Sequence, residues 1–402
     1  MTKVAPATPP LQTEGAGSQP AAGDGSFGDD LAFLRKHTDV VVLGDPQAGA
    51  AVAVAPEYQG RVMTSTARGA KGNSFGFIHR EVIEAHARQP HMTVFGGEDR
   101  FWLGPEGGQF GFYFPAGATY DLEHWQVPGD LDWGAWKVDS KSGTEVSFTR
   151  DMALSNHSGT EFHLRVTRRV RLLARDEIQK RVGVDITSDT AVVGYESENV
   201  ITNTGAVPWS KKTGLPSIWI LGMFRPSPTT TVVIPFRPGP ESKLGKVVND
   251  AYFGRIPAER LRTLDHALLF SGDGKERGKI GVPAPRARPM VGSVDRASGT
   301  LTLVEYTLPE HPGDYVNSMW EEQADPFGGD VVNSYNDGPP APGKRPLGPF
   351  YEIESSSPGA ALGPGKSLTH VHRTLHLQGS PANMEELSRR TLGVGIAELG
   401  SE

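Results

Sequence analysis

The stretch Pro349–Leu377, PFYEIESSSPGAALGPGKSLTHVHRTLHL, decides how the rest of the chain is read. It alternates, breaks at Ser, Pro and Gly, and alternates again, which is the pattern of strand, turn and strand. Side chains two apart on an extended chain share a face. Glu352 and Glu354 therefore point the same way from one short strand. His370, His372, Thr374 and His376 form one face of the longer strand, opposite Val371, Leu375 and Leu377. Two carboxylates on one face repel unless a partner, a proton or a ligand answers them. That cost marks a candidate site.

Working outward, the same alternation recurs at Val40–Leu43, Ala50–Ala55, Arg61–Ser65, Glu145–Met152, Glu161–Leu173, Val182–Ile186 and Val192–Ile201. It continues at Ser217–Phe224, Thr230–Phe236, Leu301–Tyr306 and Val331–Tyr335. In Glu161–Leu173 the basic residues Arg165, Arg169 and Arg171 fall on one face, read as a solvated outer surface, with an anionic-glycan groove as the rival. Helical patterns are short: Asp29 or Asp30 opens one after Phe27, and others fall at Asn73–Glu84, Pro257–Leu264 and Ser380–Arg390. Ser380, Pro381 and Gly393 supply cap, first turn and stop for the last of these.

The 402 residues include 49 Gly and 32 Pro, a composition of many short strands joined by turns. No period or long linker divides the middle. The expected organisation is a disordered leader at 1–27, one β-sandwich domain at 28–379, and a helix and tail at 380–402. A net charge of −7 argues against general nucleic-acid binding. No apolar run reaches the length of a membrane span, and Met1–Gly25 has no apolar signal core. Cytoplasmic and exported locations both fit. The absence of cysteine removes disulfides and thiolate zinc sites. No Ser-His-Asp arrangement, H-E-x-x-H helix or dinucleotide fingerprint is present.

The run ESSSPGA at Glu354–Ala360, the following PGKS and the alternating last strand resemble the end of the aldose 1-epimerase (galactose mutarotase) superfamily. GGEDRFWLGPEGGQFGFYF at Gly96–Phe114 resembles that family's Gly-Gly-x-x-Arg stretch, and more closely a little-characterised bacterial branch of it. The resemblance implies an all-β supersandwich of two large antiparallel sheets with a few short helices. It also implies a cleft for a mono- or oligosaccharide and no cofactor.

By residue, the resemblance puts Glu354 at the catalytic Glu and Arg100 at a substrate-contacting Arg. Trp102 offers a ring for a pyranose face, and Glu98, Asp99, Glu352, Asn336 and Trp320 are further candidates for the sugar. The family's acid His belongs in a strand that here reads SIWILG, without one. His370, His372 and His124 are the candidate substitutes. His370, His372 and His376 could also chelate a metal, or form cleft wall, and no metal is expected. The expected chemistry is aldose 1-epimerisation with a glutamate base. The alternatives are a polysaccharide lyase using Tyr315, Tyr335 or Tyr351, a glycoside hydrolase, or a glycan-binding protein without catalysis.

Overall fold

The computed structural model describes residues 25–400, Pro312 apart. Residues 1–24 of the expected leader lie outside the described residues. Ser26 accepts a hydrogen bond from the Asp29 amide and caps a helix, Phe27–His37, whose Phe27, Leu31 and Leu34 are buried. That helix packs on a three-stranded sheet of Val41–Gly44, Ala51–Ala55 and Arg61–Thr66.

The two large sheets are antiparallel throughout. In spatial order the ten-stranded sheet begins Leu261–Thr263, Ala267–Ser271, Thr230–Pro235, Met290–Asp295 and Thr300–Tyr306. It continues Ser367–Gln378, Ala191–Asn203, Glu161–Leu172, Glu145–Ser155 and Lys137–Lys141. The five-stranded sheet runs Gly278–Pro283, Asp330–Asn336, Tyr351–Ser356, Ser217–Phe224, Arg100–Gly104. Stacking the two sheets buries one face of each, the standard answer to many half-apolar strands. Ile218, Ile220, Ile280, Val332 and Ile353 form the inner face of the smaller sheet.

The outer face of Glu161–Leu172 carries the arginines expected there, each matched to a carboxylate. Arg165 meets Asp151 at 2.7 Å, Arg169 meets Glu145 at 3.1 Å and Arg171 meets Glu177 at 3.0 Å. Exposed pairs of this kind contribute little stability each, but they leave no open basic groove. Arg168 is the exception, since it lies on the apolar face and is fully buried.

The strand Ser367–Gln378 divides its two faces sharply. Leu375 and Leu377 pack with Met384, Leu387 and Leu392 of the helix Pro381–Leu392, which Ser380 caps and Gly393 ends in a left-handed turn. His370, His372 and His376 point the other way, into the space between the sheets, and are all buried.

Three local expectations change. Only Arg80–Ala85 of the stretch Asn73–Glu84 is helical, because Phe77 spends its backbone groups on Met223 and Gly97. Pro257–Leu264 ends in a short edge strand, Leu261–Thr263, paired to Ala267–Ser271. Val182–Ile186 is not a strand: Val182 ends a helix, Arg175–Val182, stopped by Gly183 at φ 71°.

Candidate active site

The site lies on the outer face of the five-stranded sheet. Pairing puts Lys279, Tyr335, Glu352 and Met223 side by side across four strands. One step along, Asn333, Glu354, Leu221 and Arg100 are aligned, and Trp219 lies beside Trp102. All of these project to one side by the period of two. All but Asn333 and Glu354, which lie just beneath, make the floor of a cavity of about 180 Å³. That is room for roughly six waters, about the size of one sugar ring. Walls come from Gln89–Met92, from Glu106, Trp125 and Trp320, and from Phe253 with Arg345–Leu347.

Charge is concentrated in this floor. Arg100 Nη2 donates to Glu352 Oε1 at 2.9 Å, and the Arg100 guanidinium sits 4.0 Å from the centre of the Trp102 ring. Lys279 Nζ donates to Glu354 Oε2 at 3.0 Å, and Trp219 Nε1 donates to the same oxygen at 2.9 Å. Glu354 Oε1 is buried without a hydrogen-bond partner among the described residues. Trp125 Nε1 donates to Glu106 Oε1 at 3.0 Å. Burial opposes the charge of Lys279, but Glu354, Glu106 and Glu352 around it hold its pKa above the ordinary lysine value. Burial raises the Glu106 carboxyl. Burial pushes Glu352 up to about 7, against the pull of Arg100 and helped by Glu354.

That shift gives a stability prediction. An unfolded glutamate loses its proton near 4.5, whereas folded Glu352 keeps it to about 7. Between those values the folded state binds the extra proton. The stability it contributes is therefore complete below pH 4.5 and is lost as pH rises through 7. Asp330 and Asp337, each raised to about 6 by burial, act in the same direction. The comparison with Glu352→Gln isolates one group. Between pH 5 and 8 the variant's unfolding free energy should fall less than wild type's, by on the order of 3 kcal/mol, measured by denaturant titration. Parallel pH dependences would refute the assignment.

Residues 25–402 match the family of unknown function DUF6786. The chain belongs to that family. No curated protein matches it. Among solved structures, a protein of Escherichia coli K12 provisionally designated an aldose 1-epimerase is similar at 14% identity and a TM-score of 0.50, covering 85% of this chain and 99% of that one. A galactose mutarotase-like protein from Lactobacillus casei ATCC 334 is similar at 10% identity and a TM-score of 0.45, covering 85% and 100%. The first of these likenesses, at 14% identity, speaks for the fold alone, and this DUF6786 chain has the galactose mutarotase-like fold.

Within this DUF6786 member, Arg100, Trp102, Glu352 and Trp320 line the cavity, and Glu354 lies against it through Lys279 and Trp219. One face of Trp102 is taken by Arg100, and its Nε1 donates to the Leu131 carbonyl at 3.2 Å. Trp125 and Trp320, stacked with centroids 5.8 Å apart, form the aromatic wall instead.

Several other candidates lie elsewhere. Glu98 is buried against Ser65 and His376, and Asp99 against Arg168. Asn336 ties down a turn, accepting from the Gly274 amide at 2.9 Å and donating to the Glu276 carbonyl at 2.8 Å. His370 and His372 share the Ser355 hydroxyl, each at 2.8 Å, on the inner face of the sheet whose outer face bears the cavity. Burial lowers them to about 3 and about 4, so both are neutral at pH 7. Among the described residues no group of three or more His, Asp or Glu is arranged to hold a metal, and no helix is long and apolar enough to cross a membrane. His124 is exposed beside Asp121. Of the three tyrosines considered for a lyase, Tyr335 alone lines the cavity, and its hydroxyl donates to Asp337 at 3.0 Å.

Glu106, Lys279 and Trp219 are among the cavity residues that the sequence reading missed. Glu106 sits in GPEGG, which looks like turn chemistry; Lys279 lies on a strand too rich in Gly and charge to stand out. Trp219 was visible only as the absence of a histidine.

Proposed function

We propose that this protein is a carbohydrate-active enzyme of the aldose 1-epimerase type, which holds one sugar ring in the cavity and opens it at the anomeric carbon. The observation that carries this reading is Glu354. One carboxylate oxygen takes two strong donors, while the other is buried with none. An unpaired buried acceptor is costly and rare, and a base that must take a substrate proton needs an oxygen left free. Trp219 and Lys279 fix the carboxylate's orientation, and Glu352 with Arg100 offers an acceptor and donors to ring hydroxyls. The tryptophan wall suits the apolar C–H face of a pyranose.

The test is the approach of freshly dissolved α-aldoses to anomeric equilibrium, followed by polarimetry, with binding followed by tryptophan fluorescence. The reading expects acceleration by wild type for at least one aldose. Binding without acceleration would make the protein a glycan-binding module. Neither binding nor acceleration across free sugars and oligosaccharides would refute a sugar site.

A further inference from the structure

Opening a pyranose moves two protons, and Glu354 accounts for one. Its Oε1 takes the O1 proton, the O1 electron pair becomes the C1=O1 double bond, and the C1–O5 bond breaks. O5 must then receive a proton from an acid, which regains it when the ring closes on the other face. The strand Ser217–Phe224 presents Trp219 to the cavity, and an indole N–H is no acid at neutral pH. Four other titratable lining groups already have a protein partner. Lys279 is bound to Glu354, Glu352 to Arg100, and Tyr335 donates to Asp337. Glu106 accepts from Trp125.

We propose that His91 is the second proton-transfer group of this cavity, supplied by a different segment from the strand that lacks a histidine. The proposal rests on the ring-opening reading above. His91 lines the cavity. Its Nδ1 lies 2.6 Å from the Trp125 carbonyl oxygen, which can only accept, so Nδ1 keeps a proton throughout. As imidazolium the ring carries a second proton on Nε2, gives it to O5 as the C1–O5 bond breaks and takes it back on ring closure. Nε2 has no protein partner among the described residues.

The residue is also held unusually firmly for one in a loop. Its amide donates to Gln126 Oε1 at 3.2 Å, and its carbonyl accepts from Gln126 Nε2 at 2.8 Å and from the Val127 amide at 2.9 Å. Its backbone is left-handed, φ 65°. That conformation is uncommon for non-glycine residues, though His adopts it more readily than most. The charged groups sharing the cavity are Glu106, Glu352, Arg100, Lys279, Arg277 and Arg345.

His91→Asn tests the assignment, since asparagine tolerates the left-handed backbone and cannot transfer a proton. The measurement is the anomeric equilibration rate from pH 5 to 9 for wild type, His91→Asn and Glu106→Gln, with NMR of the His91 imidazole during sugar titration. Expected are a loss of at least about a hundredfold in His91→Asn, disappearance of one limb of the pH profile, partial rescue by added imidazole, and a His91 signal that shifts with sugar. An active wild type matched by His91→Asn, with an unchanged profile, overturns the His91 assignment alone. So does a loss seen in Glu106→Gln and not in His91→Asn. A wild type inactive on every aldose overturns the ring-opening reading, and His91's role with it.

Discussion

Glu354→Gln slows anomeric equilibration by about 10²–10⁴-fold, the range for removing a positioned general base, and leaves sugar affinity within a few-fold. The substitution keeps the side chain's volume, and its amide oxygen can still accept from Trp219 Nε1, now 2.9 Å from Glu354 Oε2. What disappears is the basic, unpartnered oxygen. Lys279 loses its carboxylate, but Glu106 and Glu352 still lie around it, so the fold should survive with a lowered melting point. Affinity from tryptophan fluorescence and rate from polarimetry separate the two effects. Loss of binding with an unchanged rate at saturation would mean that Glu354 serves only as the counter-ion of a buried lysine. Arg100→Ala makes the reverse case: Glu352 is freed and a donor to hydroxyls is lost, so affinity should fall more than the saturated rate.

The acidic strand was readable because alternation is a property of the chain itself. Glu352 and Glu354 share a face in the fold as in the sequence, and Arg100 is on that face because strand pairing brings it opposite Leu221. Which of a sheet's two faces bears the cavity is not written in any single strand. His370 and His372 alternate as regularly as the glutamates, yet the register puts them behind the sheet, where burial keeps them neutral. The GGEDR motif shows the same ambiguity in two adjacent residues. Asp99 turns inward to Arg168 while Arg100 turns outward to Glu352. His91 carried no signal at all: nothing in Gln-Pro-His-Met foretells that Gln126 and Trp125 will clamp it against a cavity assembled from many other segments.

Arg168→Met costs about 3–5 kcal/mol of folding stability, the range for breaking a buried ion pair from one side. The residue reads as one more arginine on a basic strand, but its side chain is 0% exposed, as is that of Asp99. Its guanidinium donates to Asp99 Oδ1 at 2.6 Å, to Asn199 Oδ1 at 2.6 Å and to the Gly60 carbonyl at 3.0 Å. Methionine fills the space and removes every one of those donors, leaving a carboxylate and two carbonyl oxygens buried with less than they need. The double variant Arg168→Met/Asp99→Leu removes the stranded charge as well and should recover much of the loss, because a matched apolar pair does not carry the desolvation cost of two ions. A double-mutant cycle by denaturant unfolding measures the coupling, and a single Arg168→Met that costs under 1 kcal/mol would show the pair to be dispensable. The consequence reaches the site by the shortest route in the chain. Asp99 exchanges backbone hydrogen bonds with Val62 and immediately precedes Arg100, so the buried pair fixes the start of the strand from which Arg100 reaches Glu352. The double variant, stable but without that anchor, should therefore bind sugar more weakly than wild type while folding nearly as well.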